Sequence, residues 1–200
     1  YSFSDYDYWR TAPRPDPIRT SGSATTGADG VARFSVPATL QEGEGAQLLT
    51  ISATVTDQSA QAVASSTTVT LHPAAKYAGI RPAEYVAEKG KPTSVDLVTV
   101  DTSGKVLPDQ EVTVRVYRRE WVTTKQQTPD GARQYKSEPK DTLVTTIGAR
   151  TGANGETSVG VTPERTGTYR VVVEITDALG RTSRSAAYIW VWGAERASWR

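Results

Sequence analysis

The 200 residues carry a net charge of +1, with 37% hydrophobic and 22% charged residues, a balance that is typical of folded globular modules. The near-neutral charge argues against a nucleic-acid interface or an anionic membrane surface, and no apolar run has the length of a bilayer span. Cysteine is absent, which excludes disulfides, thiolate metal sites and cysteine nucleophiles in this sequence.

The chain begins with a segment that is rich in aromatic residues: Tyr1, Phe3, Tyr6, Tyr8 and Trp9. Aromatic side chains mostly serve hydrophobic cores, so we interpret this segment as an extended, packed stretch, with a carbohydrate-stacking surface as the alternative. Two pairs of carboxylates, Asp5/Asp7 here and Asp101/Asp109 further on, lie in polar or turn-rich surroundings. We interpret both pairs as solvated rather than catalytic.

Strands and turns are predicted over residues 1–73, which we assign to a first domain. Residues 18–25 form a weak strand, and alternating apolar residues predict two buried strand faces after it. Residues 63–71 complete a hairpin that His72-Pro73 ends. His72 is the single histidine, so we interpret it as a linker residue rather than a catalyst or metal ligand. The buried faces comprise Ala32, Phe34 and Val36, and then Leu49, Ile51, Ala53 and Val55.

An internal repeat relates this first domain to the rest of the chain. Residues 26–30 read Thr-Gly-Ala-Asp-Gly and residues 151–155 read Thr-Gly-Ala-Asn-Gly, and a Thr-Asp pair follows each turn, at Thr56-Asp57 and at Thr176-Asp177. Glycine with Asp or Asn favours tight turns, so the repeat predicts the same connections in two β-domains. The second domain is placed at residues 74–200, with a C-terminal extension from about residue 193.

The first domain is predicted to be incomplete. The repeat aligns Ile18 with Leu143, and far fewer residues precede Ile18 than precede Leu143 in the second domain. Methionine is also absent, so we interpret the chain as part of a longer polypeptide. A sandwich that lacks part of a sheet leaves apolar faces exposed, so the first domain's apolar face should be less buried than its counterpart. The sets compared are Phe34, Ile51 and Val55 against Val159, Val171 and Val173.

The second domain is predicted to hold about seven strands separated by turn signals, which is the spacing of an immunoglobulin-like β-sandwich. No stretch has an amphipathic helical period, so the whole chain is predicted to be all-β with antiparallel sandwiches. Pro129-Asp-Gly131 is the predicted tip of one hairpin. The strands are predicted at residues 77–80, 95–100, 112–116, 143–147, 157–161, 169–176 and 185–192.

The last predicted hairpin begins with a strand that has apolar residues at every second position. Tyr169, Val171, Val173 and Ile175 alternate with Arg170, Glu174 and Thr176, which predicts a strand with one buried face. Gly167-x-Tyr169 resembles the tyrosine corner of Greek-key sandwiches, in which the hydroxyl ties the strand to an adjacent loop.

A turn at Asp177 to Gly180 reverses the chain into its final strand. Strand alternation places Trp190 and Trp192 on one face, where we expect structural packing, and Ile189 and Val191 on the other.

Known catalytic patterns are missing from the sequence. No nucleophile elbow, phosphate loop or His-Glu-x-x-His occurs, and one histidine without cysteine leaves Ser/His or Cys/His catalysis short of parts. Arg118, Arg119 and Glu120 beside Trp121 are interpreted as a solvated strand end, with a cation–π binding patch as the alternative. We therefore predict no enzymatic activity, no catalytic or metal-binding residue and no cofactor.

Three signatures follow one another in the second domain. Tyr77-x-Gly79-Ile80 comes after the His-Pro break, and Pro163-x-x-x-Gly167-x-Tyr169 precedes Thr176-Asp177-x-x-Gly180. The third is the closing run Tyr188-Ile-Trp-Val-Trp192-Gly193, with Trp199 beyond. In this order and spacing, over nearly the whole chain, they resemble bacterial α2-macroglobulins.

The resemblance implies macroglobulin-like domains that precede a bait region. In that family a protease cleaves an exposed bait segment, the molecule rearranges, and in many members a Cys–Gln thioester captures the attacker. Without cysteine or an obvious bait segment, this chain is expected to be structural scaffold of such a protease inhibitor. The expected structural residues are Gly167, Tyr169, Asp177, Gly180, Trp190 and Trp192.

Partners and location follow from the same resemblance. The expected partners are neighbouring macroglobulin-like domains of the same polypeptide and, through the full-length protein, target proteases. The expected location is periplasmic or extracellular, with any membrane anchor in another part of the protein. No nucleic acid and no membrane contact are expected for this segment.

Two other classes of protein share this strand pattern. An immunoglobulin-like repeat segment of a bacterial surface or adhesion protein would have the same strands, and its neighbouring sequence would show further tandem copies instead of a bait segment or Cys-x-x-Gln. A carbohydrate-binding module is the third class, based on Trp9, Trp121 and the Trp190/Trp192 pair.

Overall fold

The computed structural model describes residues 1–5, 7, 20–38, 40, 45–127 and 133–193. Within these residues there are ten β-strands and no helix, which confirms the all-β prediction. The chain divides into two compact units, one of residues 12–73 and one of residues 1–11 with 74–200. In the described part of the chain, no helix is long and apolar enough to cross a membrane.

Several predicted features fall outside the described residues. They are the alignment at Ile18, the aromatic residues Tyr6, Tyr8 and Trp9, the hairpin tip at residues 129–131, and Trp199 with the C-terminal extension.

The unit of residues 12–73 contains one antiparallel hairpin among its described residues. Strands β1 (Gln47–Thr56) and β2 (Ala62–Leu71) pair from Gln47 opposite Leu71 to Thr56 opposite Ala62. Residues 20–38 contain no strand, so the strands predicted at residues 20–25 and around Phe34 are wrong over this range. Alternation of apolar residues produces a strand only where a neighbouring strand accepts its hydrogen bonds.

The predicted buried face of β1 is also wrong. Ile51 is 41% exposed and Val55 is 61% exposed, and Phe34 is 62% exposed. A two-stranded hairpin buries apolar side chains only where another layer covers it. The predicted difference between the units is confirmed, because Val159 is 5% exposed and both Val171 and Val173 are 0% exposed.

The second unit is a sandwich of two sheets. Its strands are β3 (Lys76–Pro82), β4 (Val86–Glu88), β5 (Thr93–Asp101), β6 (Glu111–Gln127), β7 (Arg133–Arg150), β8 (Glu156–Val161), β9 (Gly167–Thr176) and β10 (Thr182–Trp192). The five-stranded sheet has the order β4-β10-β9-β6-β7, and the three-stranded sheet has the order β3-β5-β8. Within these two sheets all pairings are antiparallel except that of β10 with β4.

The core of this unit lies between the two sheets. The core residues recur at every second position along the strands, which was predicted for β6 and β9. Burying one such aliphatic side chain stabilises the fold by about 1.5–3 kcal/mol. The largest fully buried side chains include Ile80, Val95, Leu97, Val114, Val116, Val171, Val173, Ile175, Ile189 and Val191.

The repeated glycine turns have the same geometry in both units. The Gly27 amide donates to the Val31 carbonyl at 3.1 Å, and the Gly152 amide donates to the Glu156 carbonyl at 2.9 Å. The last glycine of each turn has a positive φ, +73° at Gly30 and +71° at Gly155. The repeat therefore reports a shared turn structure.

Gly155 and Gly180 allow a direct comparison of two left-handed glycines. A Cβ at Gly155 would overlap Val106 Cγ1 and lie 3.1 Å from the Leu107 carbonyl oxygen, whereas nothing lies within 4 Å of a Cβ at Gly180. We expect Gly180→Ala to destabilise by about 1–2 kcal/mol through φ alone, and Gly155→Ala by about 1–3 kcal/mol more because of the overlap. Equal losses in urea unfolding would contradict the crowding at Gly155.

Candidate functional site

Asp177 links the turn between β9 and β10 to the residues just before β3. Its Oδ1 accepts hydrogen bonds from the Leu179 and Arg181 amides at 2.9 and 3.1 Å. Its Oδ2 accepts from the Ala75 amide at 3.0 Å and from Arg181 Nε at 2.8 Å. These donors, with the Ala75 amide the largest contributor and Arg181 next, hold the pKa of the Asp177 carboxyl well below its usual range.

The Asp177 turn occurs three times among the described residues. Asp57 and Asp101 also accept hydrogen bonds at Oδ1 from the amides two and four residues later. The fourth residue of each turn has a positive φ, which is +76° at Gly180 and +63° at Ala60. Only Asp177 also receives a described bond from a distant segment, at Ala75, so it does more than close its own turn.

We expect Asp177→Asn to lower the melting temperature at pH 7, because an amide nitrogen replaces one oxygen and faces the donors from Ala75 and Arg181. A carboxyl whose pKa is lowered by folding stabilises the fold above its unfolded pKa and loses that contribution as the pH falls below about 4. The melting temperatures of the wild type and the variant should therefore converge in acid. A difference that stays constant from pH 7 to pH 2.5 would contradict this role.

The Tyr169 hydroxyl is tied to the loop before β9, as the Gly-x-Tyr motif predicted. It donates to the Arg165 carbonyl at 3.0 Å and accepts from the Arg165 amide at 3.2 Å. Gly167 has a φ of +126°, a region that favours glycine, at the point where the loop enters the strand. Burial raises the pKa of Tyr169, so the phenol stays protonated and can donate.

The two tryptophans of β10 lie on one face of the strand, and the predicted alternation is confirmed. Ile189 and Val191 are buried in the core, whereas Trp190 is 41% exposed and Trp192 is 51% exposed. Their strand pairs at this end with β4, where Trp190 lies opposite Val86, and the Trp190 amide donates to the carbonyl of Tyr85, the residue before β4, at 2.8 Å. The tryptophans therefore lie on the outer face of the five-stranded sheet.

A buried arginine on that outer face was not predicted. The Arg119 side chain is 3% exposed, and the interpretation of residues 118–120 as a solvated strand end is wrong for it. Its Nε and Nη2 donate to the two oxygens of Asp141 at 2.6 and 2.7 Å, and Nη1 and Nη2 donate to those of Asp7 at 2.8 and 2.7 Å. Nη1 also donates to the Tyr188 hydroxyl at 3.2 Å, so all five N–H groups of the guanidinium have acceptors.

The carboxylates of the N-terminal segment are paired rather than solvated, which corrects the interpretation of Asp5 and Asp7. The Asp7 side chain is 6% exposed against Arg119, and Asp5 forms an ion pair with Arg170. Arg170 Nη1 also lies 3.8 Å from Asp141 Oδ2. We call Arg119, Arg170, Asp5, Asp7 and Asp141 the arginine cluster.

Burial and hydrogen bonding act in opposite directions on the cluster. Burial alone would lower the pKa of Arg119, but the hydrogen bonds to Asp141 and Asp7 outweigh it and raise that pKa. Burial raises the pKa of the Tyr188 hydroxyl to about 12, while Arg119 acts against this increase. The guanidiniums are therefore permanently charged and Tyr188 is neutral at physiological pH.

The guanidiniums of the arginine cluster act as hydrogen-bond donors only. A permanently protonated guanidinium cannot accept a proton, and within the described residues no group of three or more His, Cys, Asp or Glu side chains could hold a metal ion. The Tyr169 motif and the tryptophans lie at one end of the hairpin, since Gly167 pairs with Val191 and Thr168 with Trp190. Asp177 and Gly180 lie at its other end.

The sequence is similar to proteins of a known family. A family model described as bacterial macroglobulin domain 6 matches residues 79–193. An α2-macroglobulin homolog of Nostoc sp. (strain PCC 7120 / SAG 25.82 / UTEX 2576) is 27% identical over 150 residues, which cover 72% of this chain and 8% of that protein.

Solved structures of bacterial α2-macroglobulins have a similar fold. Salmonella α2-macroglobulin reacted with methylamine matches with a TM-score of 0.54 at 17% identity, over 78% of this chain and 11% of that one. The native conformation of E. coli α2-macroglobulin matches with a TM-score of 0.52 at 17% identity, with the same coverage of 78% and 11%. This chain thus spans only a small part of the length of its relatives. The match over more than half of its residues shows that the chain belongs to the bacterial α2-macroglobulin family, as a segment that contains bacterial macroglobulin domain 6.

Proposed function

We propose that this chain is a structural scaffold segment of a protease inhibitor of the bait-and-trap type, and that it is not an enzyme. The observation that carries the proposal is the match of residues 79–193 to macroglobulin domain 6. The described polar groups support it, because the buried charges of the second unit are paired with one another in fixed hydrogen-bonded geometry.

The reactive steps are assigned to other parts of the full-length protein. The chain has no cysteine, so a thioester would have to lie elsewhere. The scaffold's contribution is to hold its neighbours in place until a bait segment is cut. A rigid sandwich suits that role, because packed cores do not deform continuously.

The residues singled out in the sequence receive structural roles in this proposal. Gly167 and Tyr169 fix the entry to β9, and Asp177 and Gly180 fix the turn to β10. Trp190 and Trp192 are assigned to packing against neighbouring parts of the same polypeptide. The proposed boundary between the two domains lies at residues 73–74, and the proposed location is periplasmic or extracellular.

The test uses the full-length polypeptide that contains this chain, incubated with a panel of endopeptidases and with an inactivated form of each as control. We expect stoichiometric inhibition after a first cleavage that mass spectrometry maps outside residues 1–193. A first cleavage inside these residues would overturn the scaffold assignment. A full-length protein that inhibits no protease would instead favour a surface or adhesion protein.

A second candidate, glycan binding, is favoured by one observation, the exposure of Trp190 and Trp192 on a shared face. Aromatic rings in this arrangement offer flat surfaces for stacking. We expect no binding on a glycan array. Binding that is lost in a Trp190→Ala/Trp192→Ala variant, and kept in a Trp121→Ala variant, would replace the structural assignment of these two residues.

A further inference from the structure

The N-terminal segment crosses from an edge of one sheet to an edge of the other within the second unit. Ser2 exchanges two backbone hydrogen bonds with Ile80 of β3, of 2.8 and 2.9 Å. Two residues later, the Ser4 carbonyl accepts a hydrogen bond of 3.0 Å from the Ala186 amide of β10. All three bonds lie on the sides of β3 and β10 that face away from β5 and β9. The segment therefore satisfies backbone groups at the edges of both sheets.

The aromatic half of this segment contacts the three-stranded sheet. The Tyr1 hydroxyl donates to Glu156 Oε1 at 3.0 Å, and the Arg81 guanidinium lies 4.7 Å from the centre of the Tyr1 ring. The Phe3 ring lies over Gly79, where an added Cβ would come within 2.6 Å of Phe3 Cζ. Gly79, part of the first sequence signature, thus leaves space for Phe3.

The acidic half contacts the five-stranded sheet. Asp5 pairs with Arg170 of β9, and Asp7 forms two parallel hydrogen bonds to Arg119 of β6. The residues that make these contacts, Tyr1, Phe3, Asp5 and Asp7, occupy every second position of the sequence. The sequence pattern Tyr-x-Phe-x-Asp-x-Asp therefore matches its docking surface residue by residue.

The surface beneath the acidic half is built for a carboxylate partner. Without Asp7, two N–H groups of a guanidinium that is 3% exposed would lose their acceptors. A buried charge that loses one partner is strongly destabilised, and bidentate arginine–carboxylate geometry is specific as well as strong. Arg119 therefore needs a carboxylate partner at this position of the sheet, which a solvated outer face would not require.

We propose that the arginine-lined face of the five-stranded sheet is a binding site for an extended Asp-x-Asp segment, and that residues 1–7 of this chain are its occupant. The described residues of this segment bond to the edges of both sheets of the second unit, although residues 12–73 separate them from it in sequence. The macroglobulin domain is thus assembled from two separated pieces, and the piece from residues 1–7 lies outside the 79–193 match.

The test is amide hydrogen exchange, measured by NMR on the whole 200-residue chain with Asp5→Asn/Asp7→Asn. We expect the Ile80 and Ala186 amides to exchange at least about tenfold faster in this variant, because the segment that accepts their hydrogen bonds is released. The Trp190 amide of the same strand, which donates to Tyr85, should keep its protection. Glu111→Gln, which removes a carboxylate from an exposed pair with Arg150, is the control and should change none of these rates.

A second measurement uses a chain that lacks residues 1–7. The synthetic heptapeptide Tyr-Ser-Phe-Ser-Asp-Tyr-Asp should restore slow exchange at Ala186, and the same peptide with both aspartates replaced by asparagine should not. If the shortened chain does not fold, the proposal is tested by the Asp5→Asn/Asp7→Asn variant of the 200-residue chain alone. Unchanged exchange of Ile80 and Ala186 in that variant, or equal rescue by both peptides, would overturn the proposal.

Discussion

Replacing Arg119 by leucine is expected to lower the free energy of unfolding of the second unit by about 3–5 kcal/mol. The substitution removes five hydrogen bonds and leaves the carboxylates of Asp7 and Asp141 close together without their shared cation. Arg170 cannot replace it, because that guanidinium already pairs with Asp5 and is 3.8 Å from Asp141. Urea unfolding followed by circular dichroism measures the loss.

The same substitution at Arg150 provides the control. Arg150 is 62% exposed and lies 3.7 Å from Glu111, so Arg150→Leu should change stability by less than about 0.5 kcal/mol. Adding Asp7→Asn to Arg119→Leu should recover part of the loss, since one uncompensated charge is removed. A loss below about 1 kcal/mol for Arg119→Leu would show that the cluster is not a structural element.

Ile175→Ala is expected to destabilise by about 2–5 kcal/mol, and Val55→Ala by less than about 0.5 kcal/mol. The repeat makes these positions equivalent, because each precedes a Thr-Asp pair. Ile175 is 2% exposed in the sandwich core, whereas Val55 is 61% exposed on a two-stranded hairpin. Similar losses at the two positions, each measured by denaturant unfolding, would contradict the contrast between the units.

The second unit was largely predictable because its sequence patterns are local. Tyr169, Val171, Val173 and Ile175 occupy every second position, which places all four on one face of a strand. The Asp177 turn and the Gly-x-Tyr motif are also short, and each makes most of its hydrogen bonds within four residues. Such features can be predicted from a few consecutive residues.

The arginine cluster could not be predicted in this way. Arg119 and Asp7 are 112 positions apart in the chain, and Arg170 and Asp5 are 165 apart. In the sequence these residues cannot be distinguished from ordinary surface charges. The one available signal was the spacing of Tyr1, Phe3, Asp5 and Asp7 at every second position, which is typical of a strand with one contacting side.

The error in the first unit has the opposite cause. Ala32, Phe34 and Val36 alternate as a strand would, but a pattern does not supply the neighbouring strand or the covering layer that burial needs. The turn beside them was still predicted correctly, since the Gly27 and Gly30 bonds close within five residues. A turn can thus be predicted from its own residues, whereas a buried face also depends on the strands and layers that pack against it.

The most direct test of the scaffold assignment is to incubate the 200-residue chain itself with a panel of active proteases. Residual protease activity is titrated against the chain, and intact mass is recorded for each mixture. The assignment predicts undiminished activity at every molar ratio and no covalent adduct, because the chain has no cysteine and its buried charges are paired. Stoichiometric inhibition of any protease, or an adduct with the mass of chain plus protease, would contradict it.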